Sequence, residues 1–167
     1  MAEERIKAFE AKFDEMDTGK DGKMKKAEFH KLYWEIEDRE CTEEESDVMF
    51  RGIDIDGNEC VTKEEFMAMV KAIVNKDEVY TYKLIFRAFD KDRSNALDVK
   101  EVMAIVKYCG KECTEEQAQE AMKKATGKAK GKMDFATLYK LLTDKTIDEK
   151  NADPYDGKNK SGCCLLI

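Results

Sequence analysis

A polar stretch of twelve residues recurs four times along the chain, starting at Asp17, Asp54, Asp90 and Thr126, at intervals of 37, 36 and 36 residues. Repetition at a fixed period of this size marks one supersecondary unit used several times, none of which can bury its apolar face alone. The flanks are helical. Ile6, Phe9, Phe13 and Met16 precede the first stretch at spacings of 3, 4 and 3, which places them on one helix face. After the four stretches come Phe29, Leu32, Tyr33 and Ile36; Phe66, Met69, Val70 and Ile73; Val102, Ile105 and Val106; and Leu138, Leu141 and Leu142. Thr42 followed by Glu45, and Thr114 followed by Gln117, fit a capping box at a helix start. The pattern predicts helix–loop–helix four times over.

The loops carry oxygen ligands at spaced positions. A hard divalent cation such as calcium takes six to eight oxygens, and a twelve-residue loop supplies them from positions 1, 3, 5, 7 (a backbone carbonyl), 9 and 12, the last a Glu giving two. Position 6 needs a left-handed backbone, which favours Gly. In the first loop Asp17, Asp21 and Glu28 stand at 1, 5 and 12, and Lys23 offers its carbonyl at 7. Gly19 leaves position 3 without a side-chain oxygen, so water must substitute there. In the second, Asp54, Asp56, Asn58 and Glu65 fill 1, 3, 5 and 12, with the Cys60 carbonyl at 7 and Thr62 at 9. Glu59 at position 6 costs on the order of 1 kcal/mol in that backbone. The third loop is the fullest: Asp90, Asp92, Ser94, Asp98 and Glu101, with the Ala96 carbonyl at 7 and Asn95, which tolerates the backbone well, at 6. The fourth keeps Gly131 at 6 but has Thr126, Lys128, Lys130 and Thr137 at 1, 3, 5 and 12. Two ammonium groups there repel a cation, so no metal is expected, although the backbone shape is expected to survive.

From Ile6 to Leu142 this arrangement resembles the calmodulin and troponin C superfamily of EF-hand proteins. The resemblance implies an all-α fold of two EF-hand pairs, with a short two-stranded ribbon between paired loops. It implies calcium as cofactor, two or three ions, with magnesium an alternative occupant of some loops. In the family, position 8 pairs across the ribbon. Met24, Val61, Leu97 and Met133 stand there, all apolar, so the fourth loop can persist as a structural partner of the third. The expected organisation is an N-terminal pair over 1–75, a C-terminal pair over 76–147, and a tail over 148–167 without structure.

Charge narrows the function. Net charge is −7, which argues against nucleic acid as a partner. Met1–Asn75 holds 12 Lys+Arg against 21 Asp+Glu, and the remainder 18 against 16, so the acid is concentrated in the first half. The six cysteines include no CxxC pair, and the single histidine, His30, lies far from Cys109 and Cys113, so zinc is not expected. With no signal peptide and no apolar run of about 18 residues, a reducing cytoplasmic setting without disulfides is expected. No Gly-rich nucleotide loop or nucleophile–base pairing points to an enzyme. The expected role is a monomeric calcium sensor whose Met-bearing helices (Met49, Met67, Met69, Met103, Met122) open a groove for an amphipathic target helix. The alternative is a buffer, or a magnesium-loaded adaptor that does not switch.

The last residues, Cys163-Cys164-Leu165-Leu166-Ile167, read as a C-a-a-X prenylation box on Cys164, with Cys163 a second lipidation site. This tail resembles that of Ras-type small GTPases, without their phosphate loop. It predicts a lipid anchor to the cytoplasmic face of a membrane.

Overall fold

A computed structural model describes residues 2–37, 41–128 and 131–158. The elements run α1 (Ala2–Met16), β1 (Lys23–Lys25), α2 (Lys26–Glu37), α3 (Glu43–Ile53), β2 (Cys60–Thr62), α4 (Lys63–Val74), α5 (Glu78–Phe89), α6 (Val99–Tyr108), α7 (Glu115–Thr126) and α8 (Phe135–Thr143), followed by a 3-10 helix at Glu149–Asn151. Helices therefore bracket each of the four loops, as the repeat predicts. Both expected capping boxes form: the Thr42 hydroxyl accepts from Glu45 N–H while the Glu45 carboxylate accepts from Thr42 N–H, and Thr114 and Gln117 do the same.

The chain divides into two compact units, Met1–Leu84 and Ile85–Ile167. The division falls inside α5, downstream of the expected boundary at 75/76. A tight turn, not a long helix, links α4 to α5: Lys76 takes φ 55°, and the Asp77 side chain accepts from Tyr80 N–H at the start of α5. The first turns of α5 then join the first unit's core through Tyr80 and Leu84. Gly52 permits this contact, since a Cβ there would stand 2.8 Å from the Leu84 carbonyl oxygen.

In the first unit α1 packs on α4 and α2 on α3. Phe13, Phe29, Leu32, Phe50, Ile53 and Phe66 fill the centre. β1 and β2 pair antiparallel with Met24 opposite Val61. In the second unit Leu97 and Met133 form the equivalent bridge, each N–H donating to the other's carbonyl at 2.8 Å. All four position-8 side chains are fully buried, each contributing roughly 1.5–3 kcal/mol of apolar burial. Phe86, Phe135, Met122 and Leu138 form the second unit's interior. Ile73, Leu141 and Leu142, read in sequence as part of the inward helix faces, are about half exposed.

Two expectations need correction. The fourth loop keeps its shape at position 8 but not at its start. Here α7 runs through Thr126, position 1, and turns out at Gly127 (φ 80°), whereas the helices before the other loops end one residue before the Asp. With no carboxylate to gather the loop N–H groups, the Thr126 hydroxyl bonds back to the Met122 carbonyl at 2.7 Å. The tail is also not structureless from 148 onward. Asp148 caps the 3-10 helix, and Tyr155 is 1% exposed in the second unit. The Tyr155 hydroxyl, bonded to buried Asp90, and the Pro154 carbonyl, bonded to buried Arg87, tie this polar tract to the second unit.

Candidate metal centres

Each of the first three loops begins with an Asp whose carboxylate collects loop N–H groups. Asp54 Oδ1 accepts from Gly57 and Asn58, and Oδ2 from Glu59 at position 6. Asp90 Oδ1 accepts from Ser94, and Oδ2 from Asn95. Asp17 Oδ2 accepts from Gly22. The position-6 residues Gly22, Glu59 and Asn95 take φ of 74°, 62° and 62°. Glu59 and Asn95 thus adopt the left-handed backbone that the loop demands, in spite of their side chains.

The position-12 Glu closes the loop. Glu65 Oε1 accepts from Ile55 N–H at 2.8 Å, and Glu101 Oε1 from Lys91 N–H at 2.8 Å, both at position 2. The other oxygen caps the following helix: Glu65 Oε2 accepts from Thr62 N–H, and Glu101 Oε2 from Asp98 N–H. Positions 9 and 12 are therefore a capping box as well as ligand positions. Asp98, expected to serve the ion, is an N-cap in this structure, as is Thr62 at the same position of the second loop.

Three carboxylates converge in two of the loops. Asp54, Asp56 and Glu65 bring one oxygen each within 4.8 Å of the others, as do Asp90, Asp92 and Glu101. Such carboxylates held together by backbone N–H groups fit a hard divalent cation. The remaining ligand positions are ordered around them. Asn58 Oδ1 accepts from Cys60 N–H, and the Ala96 carbonyl accepts from the Ser94 hydroxyl. Asp17, Asp21 and Glu28 do not converge in this way, because Gly19 leaves a gap between them and the Thr18 hydroxyl and Lys25 N–H hold Glu28. Those two bonds, Thr18 first, keep the Glu28 carboxyl below its ordinary range. Even so, Asp17 Oδ1 is buried with no hydrogen-bond partner, which fits an acceptor that a cation would satisfy. Lys23, at position 7 of this loop, begins β1.

Two residues that the sequence did not point to reach the third loop. Lys132, from position 7 of the fourth loop, donates to Ser94 Oγ at 2.7 Å and to Asp92 Oδ2 at 3.3 Å. Its neighbour Met133 bridges to Leu97, and that pairing was the available signal. Ser94 first, with Lys132 assisting, holds the Asp92 carboxyl down at about 2. The Tyr155 hydroxyl donates to Asp90 Oδ2 at 2.8 Å. Burial pushes the Asp90 carboxyl above its ordinary range, and burial and Asp90 together push the Tyr155 phenol up. No signal near Tyr155 in sequence marks that contact. Lys130, one of the two ammonium groups set against metal in the fourth loop, lies outside the described residues, and Lys128 is exposed.

Among the first four helices, in the first unit, lies an apolar cavity of about 150 Å³. Phe9, Phe29, Ile36, Met49, Met69 and Ile73 line it. Met67, Met69 and Met122 are core residues. No described helix is long and apolar enough to cross a membrane. Cys163 and Cys164 lie outside the described residues.

Known proteins share this pattern. A family model for an EF-hand domain pair matches residues 6–71, and a second EF-hand pair model matches 59–109. Calcium-binding protein SPEC 2C of Strongylocentrotus purpuratus is 32% identical over 107 residues, covering 64% of this chain and 70% of that protein. Calcium-binding protein CML24 of Arabidopsis thaliana is 25% identical over 107 residues, covering 61% of this chain and 66% of that one.

Proposed function

Because the chain belongs to the EF-hand calcium-binding proteins, we propose that it is a calcium sensor, in which occupancy of the second and third loops repositions helices and opens an apolar groove for a partner's amphipathic helix. One observation carries this reading: the ligand that closes each cage is also the cap of a helix. Glu65 heads α4, and the same helix supplies Met69, Val70 and Ile73 to the cavity wall. A shift of the Glu65 carboxylate at the cage is therefore a shift at the root of α4. Calcium would be held by Asp54, Asp56, Asn58, Glu65 and the Cys60 carbonyl, and by Asp90, Asp92, Ser94, Glu101 and the Ala96 carbonyl. Asp17, Asp21 and Glu28 form a weaker third site. The adaptable thioethers of Met49 and Met69 suit a groove that repacks around a helix.

Lipid attachment at Cys164, with Cys163 as a second site, belongs to the same proposal and rests on the sequence Cys163–Ile167 alone. Intact-mass analysis of the protein from eukaryotic cells tests it.

The sensor reading is tested by titrating calcium in millimolar magnesium, with ions counted by native mass spectrometry and apolar exposure followed with a fluorescent dye. Two ions, then a third at higher calcium, with dye binding rising alongside the first two, are expected. Binding of ions without any rise in dye signal favours the buffer; no calcium binding over magnesium favours the adaptor.

A further inference from the structure

We propose that the segment Asp148–Lys158 is a strap whose docking is coupled to divalent-cation occupancy of the third loop, with Tyr155 positioning Asp90. The inference rests on the reading that this loop holds calcium.

The strap is built to present one side chain. The Asp153 carboxylate accepts from Tyr155 N–H at 2.9 Å and from Gly157 N–H at 2.7 Å, and Lys158 N–H donates to the Tyr155 carbonyl at 2.9 Å. This turn points Tyr155 inward, where it is 1% exposed. The second unit grips it from α5 and from the third loop. Arg87, on α5 and 2% exposed, donates from Nη1 to the Pro154 carbonyl at 2.8 Å. Arg93, within the loop, lies over the Tyr155 ring, 5.5 Å from its centroid.

The contact falls on a particular oxygen. Asp90 Oδ2 already accepts from Asn95 N–H at 2.9 Å, and the Tyr155 hydroxyl joins it there. In the first loop the equivalent Oδ2 of Asp17 takes the position-6 N–H, and Oδ1 is the buried oxygen with no partner. By this correspondence the ion-facing oxygen of Asp90 is Oδ1, which also accepts from Ser94 N–H at 3.0 Å, and Tyr155 holds the carboxylate from behind. A carboxylate already oriented loses less freedom when a cation arrives, so the strap favours occupancy. Reciprocity requires the cation to favour the docked strap by the same factor. The hydrogen bond also draws some charge from Asp90, but at the oxygen that does not face the ion, so orientation decides the sign.

The test uses the full chain, its Tyr155→Phe variant and its Glu101→Gln variant. Calcium bound per chain is counted by native mass spectrometry and affinity measured by chelator competition. Strap docking is read from the rate of tryptic cleavage after Lys150, with and without calcium, and from hydrogen exchange over 148–158. In the unsubstituted chain, calcium is expected to slow cleavage. Tyr155→Phe is expected to weaken the affinity of one ion roughly five- to tenfold, leave the others unchanged, and reduce the calcium protection of Lys150 to match. Glu101→Gln is expected to remove one ion and the protection with it. If Glu101→Gln leaves the ion count intact, the third loop does not hold calcium and the underlying reading fails. If one ion is lost but calcium leaves cleavage and exchange of the unsubstituted strap unchanged, or accelerates them, the coupling alone is overturned. The strap measurements on the unsubstituted protein decide this even if Tyr155→Phe folds poorly.

Discussion

The sharpest tension sits at single residues where the loop demands what the side chain resists. Glu59 holds φ 62° so that its N–H can reach Asp54 Oδ2 at 3.1 Å. Replacing it with glycine keeps that donor and relieves the left-handed strain, at the cost of extra freedom in the unfolded chain. Glu59→Gly is therefore expected to stabilise the first unit by up to about 1 kcal/mol, seen as a higher urea midpoint with unchanged slope. A lower midpoint would mean that the Glu59 side chain makes contacts outweighing the strain. At Lys132 the opposition is electrostatic. Its ammonium bonds Ser94 and Asp92, two of the ligand positions, and a cation entering there must displace it. Lys132→Met keeps the length and removes the charge. Because Lys132 and Asp92 are about half exposed, the gain is modest, about 1 kcal/mol or less, equivalent to a few-fold tighter binding at the third loop. Competition titration against a chromophoric chelator measures it, and unchanged affinity would show that Lys132 swings away at negligible cost.

At the scale of elements, helices and loops were legible where the physics is local. Spacings of three and four marked the helices, the Thr-x-x-Glu and Thr-x-x-Gln pairs marked two helix starts, and the offsets 1, 3 and 12 marked the carboxylates that gather at Asp54 and Asp90. What escaped was set by long-range contact or by a competing local bond. Tyr155 meets Asp90 across 65 positions of sequence, inside a polar tract where one aromatic produces no period. The altered start of the fourth loop follows from Thr126 bonding back to its own helix. Another link between elements is Asp47 on α3, which accepts from Lys26 Nζ at 2.7 Å and His30 Nε2 at 2.9 Å on α2. Burial pushes the Asp47 carboxyl up, but the bonds from Lys26 and His30 win, and it lies below the ordinary 3.8. A depressed carboxyl contributes stability that is fully present above the unfolded value and lost as pH falls through the folded one. The stability gap between the unsubstituted chain and Asp47→Asn should therefore shrink as the pH falls below ~3.8, in paired thermal melts. A gap that stays flat down to pH ~2.5 would remove this link from the account.

Across the whole molecule, two centres built on the same plan sit in units of opposite charge. Met1–Leu84 holds 14 Lys+Arg and 23 Asp+Glu, a net of −9, and Ile85–Ile167 holds 16 and 14, a net of +2. The local ligand sets do not explain this difference, since each cage gathers two Asp and one Glu. The longer-range field should separate them instead. An excess of distant acid attracts a divalent cation over a range set by the Debye length, which shrinks from ~30 Å at 0.01 M salt to ~8 Å at 0.15 M. Close to the ion the cages differ by Lys132, whose ammonium bonds Ser94 and Asp92 and opposes a cation at the third loop; farther out, only the first unit adds attraction. Added sodium chloride should thus weaken calcium binding at the Asp54 loop more than at the Asp90 loop. Glu65→Gln and Glu101→Gln separate the two, each leaving one strong cage to be followed by calorimetry from low to physiological salt. The chain carrying Glu101→Gln should show the steeper loss of affinity with salt. Equal slopes would place the whole electrostatic contribution within the first coordination sphere. In that case the acidic surface of the first unit serves its partner or its solubility rather than its metal.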